Sequence, residues 1–368
     1  MKKVGILSMQ RVVNYGSFLQ AYALKEIIKS LDIVDICFID IKNGVQLNEY
    51  NVNTITGKNR IKRILSEFFS RNFFQNIRKW FFFFILKRQF KNKFYTMLEL
   101  DKPNPGHFDL VVIGSDEVFN FSQKTPWGFT TQLYGEIKNT DKIISYAGSF
   151  GNTTLKTIKQ HNLSEKIVSG LKKMSSISVR DKNSADIVSE LINETPLIHL
   201  DPVLAYDFSK EIENAKQPDL KNYIIIYSYQ GRIHEKDEIE AICKFAKENH
   251  KKLISIFCIY DWCDKAIIPS TPFDVLAWFK YADYVITDTF HGTIFSIINQ
   301  VNFCSLIRES NKEKLGYLLE GLQLSNRAVY SAQQISITLN ENIEYKTTNK
   351  VINEERMCTR NYLTAYLS

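Results

Sequence analysis

The sequence predicts an α/β protein built as two Rossmann-like domains that face each other across a cleft. Three observations predict it. Short apolar runs alternate with helix-period segments along the chain, the pattern of βαβ units and a parallel sheet. Several runs are apolar almost throughout, such as FDLVVIG at 108–114, where Asp109 is the exception, and YIIIY at 223–227, as expected of strands covered on both faces. The plan also occurs twice in 368 residues, around a polar stretch at 211–221 that contains Pro218. That places an N-terminal domain at 1–210, a C-terminal domain at 221–345 and a terminal helix at 346–368, expected to pack back on the first domain.

The first strand is expected at 4–9. A helix follows over 16–30, where Phe18, Leu19, Tyr22, Ala23 and Ile27 recur at helical spacing. Further strands are expected at 33–39, 108–114, 142–147 and 176–179. The second half supplies strands at 223–227, 252–257, 284–287 and 301–306. Helices are expected between them at 236–249, at 271–281 with Pro272 in the first turn, where proline is tolerated, and from Gly292 to Asn299. The tail, 348–368, reads as one more helix.

Composition narrows the class. Hydrophobic residues make up 44% and charged residues 24%, which excludes a disordered chain. Fifteen glycines and eight prolines exclude collagen-like sequence. The six cysteines form no CxxC pair and have no histidine at finger spacing, so no zinc or other metal site is expected. The N-terminal apolar run is broken at Gln10 and Arg11 and reads as a buried strand, not a signal peptide. No run approaches the roughly 20 apolar residues of a membrane span. These features suggest a cytoplasmic protein with reduced thiols.

The net charge of +7 is mild for a nucleic-acid binder, and its distribution is uneven. Residues 53–95 hold eleven Lys and Arg against Glu67 alone, so the rest of the chain carries −3. Within this segment Trp80, Phe81, Phe82, Phe83 and Phe84 begin a seven-residue apolar run, flanked by Lys79 on one side and Lys87 and Arg88 on the other. One reading is a buried helix of an insertion with solvated basic ends. The other is an interfacial element, its aromatics entering a headgroup region and its basic residues meeting anionic lipid.

Polar clusters follow the predicted strands, where doubly wound folds bind ligands. Asn14, Gly16 and Ser17 open the first helix and read either as an ordinary cap or as donors to a ligand. Ser115 and Asp116 follow FDLVVIG, and Asp116 offers a general base. Ser149 lies in SYAGSFG. Arg180 ends a strand, well placed to grip a carboxylate or phosphate. The richest cluster is ADYVITDTFHGT at 282–293, which brings Asp288, Thr289, His291, Gly292 and Thr293 to a strand–turn–helix corner.

Taken in order, NYGSFLQAYAL (14–24), GSDEVFN (114–120), SYAGSFG (145–151), SVRD (178–181), LDPVL (200–204) and ADYVITDTFHGTIFSI (282–297) resemble the polysaccharide pyruvyl transferase family. The resemblance runs from Val4 to about Leu306 and omits 45–100 and the tail. It implies a fold similar to the two-domain B-type glycosyltransferases. It implies transfer of a pyruvyl group from phosphoenolpyruvate, as donor substrate and with no cofactor, to two hydroxyls of a glycan sugar. The product is a cyclic ketal and phosphate is released, in capsule or exopolysaccharide biosynthesis. The acceptor is expected on a polyprenyl-phosphate carrier, with the protein peripheral on the inner face of the cytoplasmic membrane.

Arg180 matches the family Arg that contacts phosphoenolpyruvate, and His291 the family His of that pocket. Many members have Arg-Leu-His where this chain has Thr289-Phe290-His291, so a second cation must come from elsewhere. GSDEVFN also departs from the commoner Gln at position 117 and Trp at 119. On this reading His291 is the general acid or the phosphate partner, Asp116 or Asp288 is the base, and the helix start at Gly292 and Thr293 offers amides to an anion. Two rivals stand beside it: a B-type glycosyltransferase using a nucleotide sugar, and a non-catalytic membrane-associated subunit of glycan assembly.

Overall fold

Uniformly apolar runs bury both faces, so they become the central strands of two sheets. The computed structural model describes residues 1–32, 34–47 and 73–367, of which 73–75 by backbone alone. Position 33 and the part of the basic segment at 53–72 lie outside the described residues. The first sheet contains β1 (Lys2–Leu7), β2 (Val34–Phe38), β3 (Phe108–Asp116), β4 (Thr140–Gly148), β5 (Ser178–Val179) and β6 (Leu197–Ile198). Its order is β2-β1-β3-β4-β5-β6 and every pairing is parallel. The second contains β7 (Tyr223–Tyr227), β8 (Lys252–Ile256), β9 (Lys265–Ile267), β10 (Tyr284–Thr287), β11 (Asn302–Leu306) and β12 (Ala328–Val329). Its order is β12-β11-β10-β7-β8-β9, again all parallel. The edge strands β6, β9 and β12 are two or three residues long, too short to carry a readable period.

Each sheet has one place where the strand order reverses, between β1 and β3 in the first and between β7 and β10 in the second. Loops leave in opposite directions there, opening a crevice at the carboxyl ends. The segments after these four strands include three of the clusters read from the sequence.

Five helices matter below: α1 (Tyr15–Leu31), α2 (Phe73–Gln89), α3 (Phe290–Ile298), α4 (Lys312–Gly321) and α5 (Tyr345–Leu367). Helix α1 is capped by Asn14, whose Oδ1 accepts the Gly16 amide at 2.7 Å. The stretch expected as a linker begins instead with a helical turn, Ser209–Asn214. It is anchored because Glu211 accepts hydrogen bonds from Tyr22 (3.0 Å) and Tyr206 (2.8 Å).

Helix α2 runs on through a π-helical turn, Phe90–Phe94. Phe82, Leu86, Phe90 and Phe94 point inward and are buried. Phe90 and Phe94 pack on the Tyr15 ring at centroid distances of 5.6 and 6.4 Å. Phe82 therefore belongs to the core, and Phe83 packs half-buried against it, so neither is presented outward with Trp80, Phe81 and Phe84. Four phenylalanines in a row carry no period, and only the seat of Phe90 and Phe94 fixes which side turns in. No helix among the described residues is long and apolar enough to cross a membrane.

Helix α5 spans both domains. Near its start Tyr345 donates to the Val301 carbonyl (2.8 Å). Near its end Tyr362 donates to Ser145 O (2.7 Å), and Thr359 meets the Tyr146 hydroxyl (3.0 Å). The Tyr362 ring lies 4.7 Å from that of His199, whose Nδ1 meets Ser178 Oγ at 2.8 Å.

Burial pulls the His199 pKa down to about 4 from its ordinary 6.5. The unfolded chain therefore takes up this proton first. The stability His199 contributes is full above about pH 6.5 and is lost as pH falls towards 4, up to about 3 kcal/mol. The melting temperature of the His199→Gln variant is expected to fall less steeply across that window than that of the wild type. Equal slopes would remove His199 from the acid lability.

Candidate functional site

The reversal points of the two sheets face each other around a cavity of about 450 Å³. From the first domain, β3 ends at Asp116, held at φ +75°, and the turn after β5 delivers Arg180. From the second, the turn after β10 delivers Asp288 and Thr289, and α3 carries His291 in its first turn. Asn14, Ser17, Asp116, Arg180, Asp288, Thr289 and His291, expected from the sequence, all line this cavity.

Arg180 is the best-held cation in it. Its side chain is 3% exposed, with Nη1 donating to Asp201 Oδ2 at 3.0 Å and Nη2 to Asp116 Oδ1 at 3.2 Å. Its guanidinium lies 4.3 Å from the Phe290 ring centroid, a cation–π contact that fixes its plane. Its Nε has no partner among the described residues. Asp116 completes the frame by accepting from Ser17 Oγ at 3.0 Å. Burial opposes ionisation of Asp116, but Arg180, then His291 and Ser17, outweigh it and hold the carboxyl below its usual range.

His291 sits across the domain boundary from this frame. Its Nε2 is 3.7 Å from Asp201 Oδ2 and makes no hydrogen bond among the described residues. Burial lowers its pKa more than Asp201 and Asp116 raise it, which favours a neutral imidazole at neutral pH. The ring rests on the Cα of Gly16, where an added Cβ would lie 2.2 Å from Cγ and Nδ1.

The α3 cap is spoken for. Thr289 Oγ1 accepts the Gly292 amide at 2.9 Å, and the Thr293 amide closes on Thr289 O. The free first-turn donors among the described residues are therefore the amides of Phe290 and His291, two residues before the expected Gly292 and Thr293.

The family model for polysaccharide pyruvyl transferase matches residues 14–310. The chain belongs to this family. It is accordingly a transferase of polysaccharide biosynthesis, and its two facing parallel-sheet domains have the B-type arrangement. Among solved structures it is similar to UDP-GlcNAc 2-epimerase from Methanocaldococcus jannaschii. The identity is 11%, the match covers 98% of this chain and 99% of that one, and the TM-score is 0.48. For UDP-GlcNAc 2-epimerase from Neisseria meningitidis bound to UDP-GlcNAc the figures are 11%, 97%, 100% and 0.47. For the E. coli heptosyltransferase WaaC with ADP-2-deoxy-2-fluoro heptose they are 10%, 83%, 89% and 0.37. No curated protein sequence matches it.

In this pyruvyl transferase relative several expected residues lie behind the cavity wall. Ser115 Oγ donates to Gln20 Oε1 (2.7 Å), Ser149 Oγ to Asp181 Oδ2 (2.6 Å), and Thr293 Oγ1 meets Ser305 Oγ (2.7 Å). Gly16 and Gly292 act through their missing side chains. A Cβ on Gly292 would lie 2.2 Å from Thr287 Oγ1.

Asp288 differs from Asp116. It is fully buried, with Arg232 Nε at 3.0 Å and Arg308 Nε at 4.0 Å, and neither oxygen has a well-aligned hydrogen-bond donor among the described residues. Burial outweighs both arginines and pushes its carboxyl upward. Two carboxylates in one cavity are thus driven in opposite directions, the environment that separates acid and base roles.

The sequence missed three contributors. Asp201 stands in the LDPVL motif as the cap of a short helix, its Oδ1 accepting from Val203 N at 3.0 Å. Arg232, from the loop after β7, and Lys314, on α4, carry no motif. Lys314 donates across the cleft to Glu117 Oε1 at 2.9 Å, which neutralises the second acid of GSDEVFN. All six cysteines are free, and among the described residues no His, Cys, Asp and Glu cluster is placed to hold a metal.

Proposed function

We propose that the protein transfers a pyruvyl group from phosphoenolpyruvate to two hydroxyls of a glycan sugar on a polyprenyl-phosphate carrier, at the inner face of the cytoplasmic membrane. In the balanced reaction one hydroxyl adds to C2 while C3 takes up a proton. The second hydroxyl then displaces phosphate from C2, and its proton leaves with the phosphate. The ketal carbon keeps the carboxylate.

The observation that carries this reading is the Arg180–His291 pole between the two reversal points, within a chain of this family. Arg180, with an unpaired Nε, and the amides of Phe290 and His291 suit the donor's carboxylate and phosphate. His291 is assigned the phosphate oxygen, or the proton transfer at C3 once the imidazole has taken up a proton. Asp288, raised by burial, is the better base for the hydroxyl, because Asp116 is committed to Arg180 and Ser17. Arg232 and Lys314, which also line the cavity, supply the second cationic side that Thr289 does not.

The test is phosphate release from phosphoenolpyruvate with lipid-linked oligosaccharide, together with the mass gain of one pyruvyl ketal on the acceptor. His291→Gln is expected to slow phosphate release by at least about 100-fold. Thermal stabilisation by a nucleoside diphosphate, with none by phosphoenolpyruvate, would overturn this in favour of a nucleotide-sugar enzyme.

A further inference from the structure

We infer that the outer face of α2 is a docking surface for an anionic lipid bilayer. Ile77, Trp80, Phe81 and Phe84 are 37, 66, 55 and 48% exposed, and their spacing places them on one stripe of the helix. The rings of Trp80 and Phe84 stack on each other in the open, 5.4 Å apart. The opposite side is anchored through Phe82, Leu86, Phe90 and Phe94, all buried. The helix is therefore seated in the core and still presents a ridge of large apolar side chains to solvent, the mark of an interaction site.

Charge selects the occupant. No acidic residue occurs between Glu67 and Glu99. Arg78 faces Asp261 at 3.9 Å and Lys93 donates to Ser270 O at 3.0 Å, so both look back at the protein. Among the described residues no carboxylate pairs with Lys79, Lys87, Arg88 or Lys91. An aromatic ridge that includes Trp, bordered by unpaired cations, matches the headgroup region of an anionic bilayer. A single stripe of four side chains is narrow for a stable interface between copies, which takes about 800 Å² per partner.

The mounting is also informative. Phe90 and Phe94 seat α2 on Tyr15, the residue before Gly16, so the docking helix is fixed beside the first turn of α1 at the cleft. A lipid-linked acceptor would meet the cleft from that side.

The experiment is co-sedimentation of the full chain with phosphatidylcholine vesicles, with and without phosphatidylglycerol. The wild type is expected to bind the anionic vesicles and to be released by salt. Replacing Trp80, Phe81 and Phe84 together by Ser is expected to lower binding at least about tenfold, with an unchanged melting temperature because none of the three is buried. Lys87→Glu with Arg88→Glu is expected to lower binding to the anionic vesicles by about tenfold or more and to leave neutral vesicles unaffected. No binding, or binding indifferent to both variants, overturns the inference. So does a concentration-dependent dimer that the serine variant abolishes, which would assign the ridge to a second copy. Binding without pyruvyl transfer would leave this surface standing and defeat only the reaction proposed above.

Discussion

Arg180→Gln is expected to cost the protein about 3–5 kcal/mol of stability as well as its activity. The guanidinium lies between two buried carboxylates, Asp116 at 3.2 Å and Asp201 at 3.0 Å. A neutral amide leaves both acids buried without a counter-charge, and the dependence on pH should change sign with them. In the wild type the Asp116 carboxyl is held below its unfolded value. Its contribution is therefore present above the ordinary carboxylate range and lost as pH falls through the folded value. In the variant burial loses its largest opponent, only the weaker pull of His291 and Ser17 remains, and the folded pKa is expected to rise above the unfolded one. Stability is then present at low pH and lost as pH climbs through the folded value.

Melting temperatures across the acid range should therefore rise with pH for the wild type and fall, or flatten, for the variant. Arg180→Lys keeps a charge but cannot reach both acids in one plane, so it is expected to recover part of the stability and little of the phosphate release. Arg232→Gln is the comparator. Arg232 is 28% exposed on the far side of the cavity, so its loss is expected to raise the KM for phosphoenolpyruvate with a small change in melting temperature. A well-folded Arg180→Gln protein with the wild-type pH profile and undiminished phosphate release would remove Arg180 from both roles.

What could be read in the sequence follows from how each feature is encoded. YIIIY, and FDLVVIG from Leu110 on, are apolar on both faces, and the strands Tyr223–Tyr227 and Phe108–Asp116 sit where those runs sit. Strand-end clusters were legible because ligand-binding loops follow strands. Which side of the wall each residue faces was not. Ser115 and Asp116 are neighbours, yet Asp116 lines the cavity while Ser115 turns back to Gln20, and the positive φ of Asp116 that sets its direction has no signature in the sequence. The reversal points depend on strand order, a property of the assembled sheet. For the same reason Arg232 and Lys314 reach the site from a loop and a helix with no local signature. Asp201 could have been found, since an Asp-Pro after a strand is a helix start, but its ion pair with Arg180 joins positions 21 apart.

Gly16→Ala is expected to damage the site more than any change of comparable size. In an unconstrained helix, alanine is favoured over glycine by about 1 kcal/mol. Here the added Cβ would lie 2.2 Å from His291 Cγ and Nδ1 and 2.7 Å from its Cβ. The ring has little room to retreat, because Phe290 and Phe295 flank it at 5.6 and 6.0 Å and the first turns of α3 are buried throughout. Either His291 leaves its place opposite Asp201 or the two domains separate at this point. We expect a loss of about 1–3 kcal/mol, typical of overpacking, and a fall of about 100-fold in phosphate release from the displaced imidazole.

The contact itself can be isolated in the His291→Gly background. There the clash is gone, and Gly16→Ala is expected to be neutral or stabilising by up to about 1 kcal/mol. Equal destabilisation in both backgrounds would show that α1 and α3 do not meet through this glycine. If they do, its bare Cα is what lets two helix N-termini from different domains approach. Asn14 already takes up the Gly16 amide, whereas the amides of Phe290 and His291 open α3 without such a cap. The side chain missing at Gly16 is the room in which His291 stands beside them.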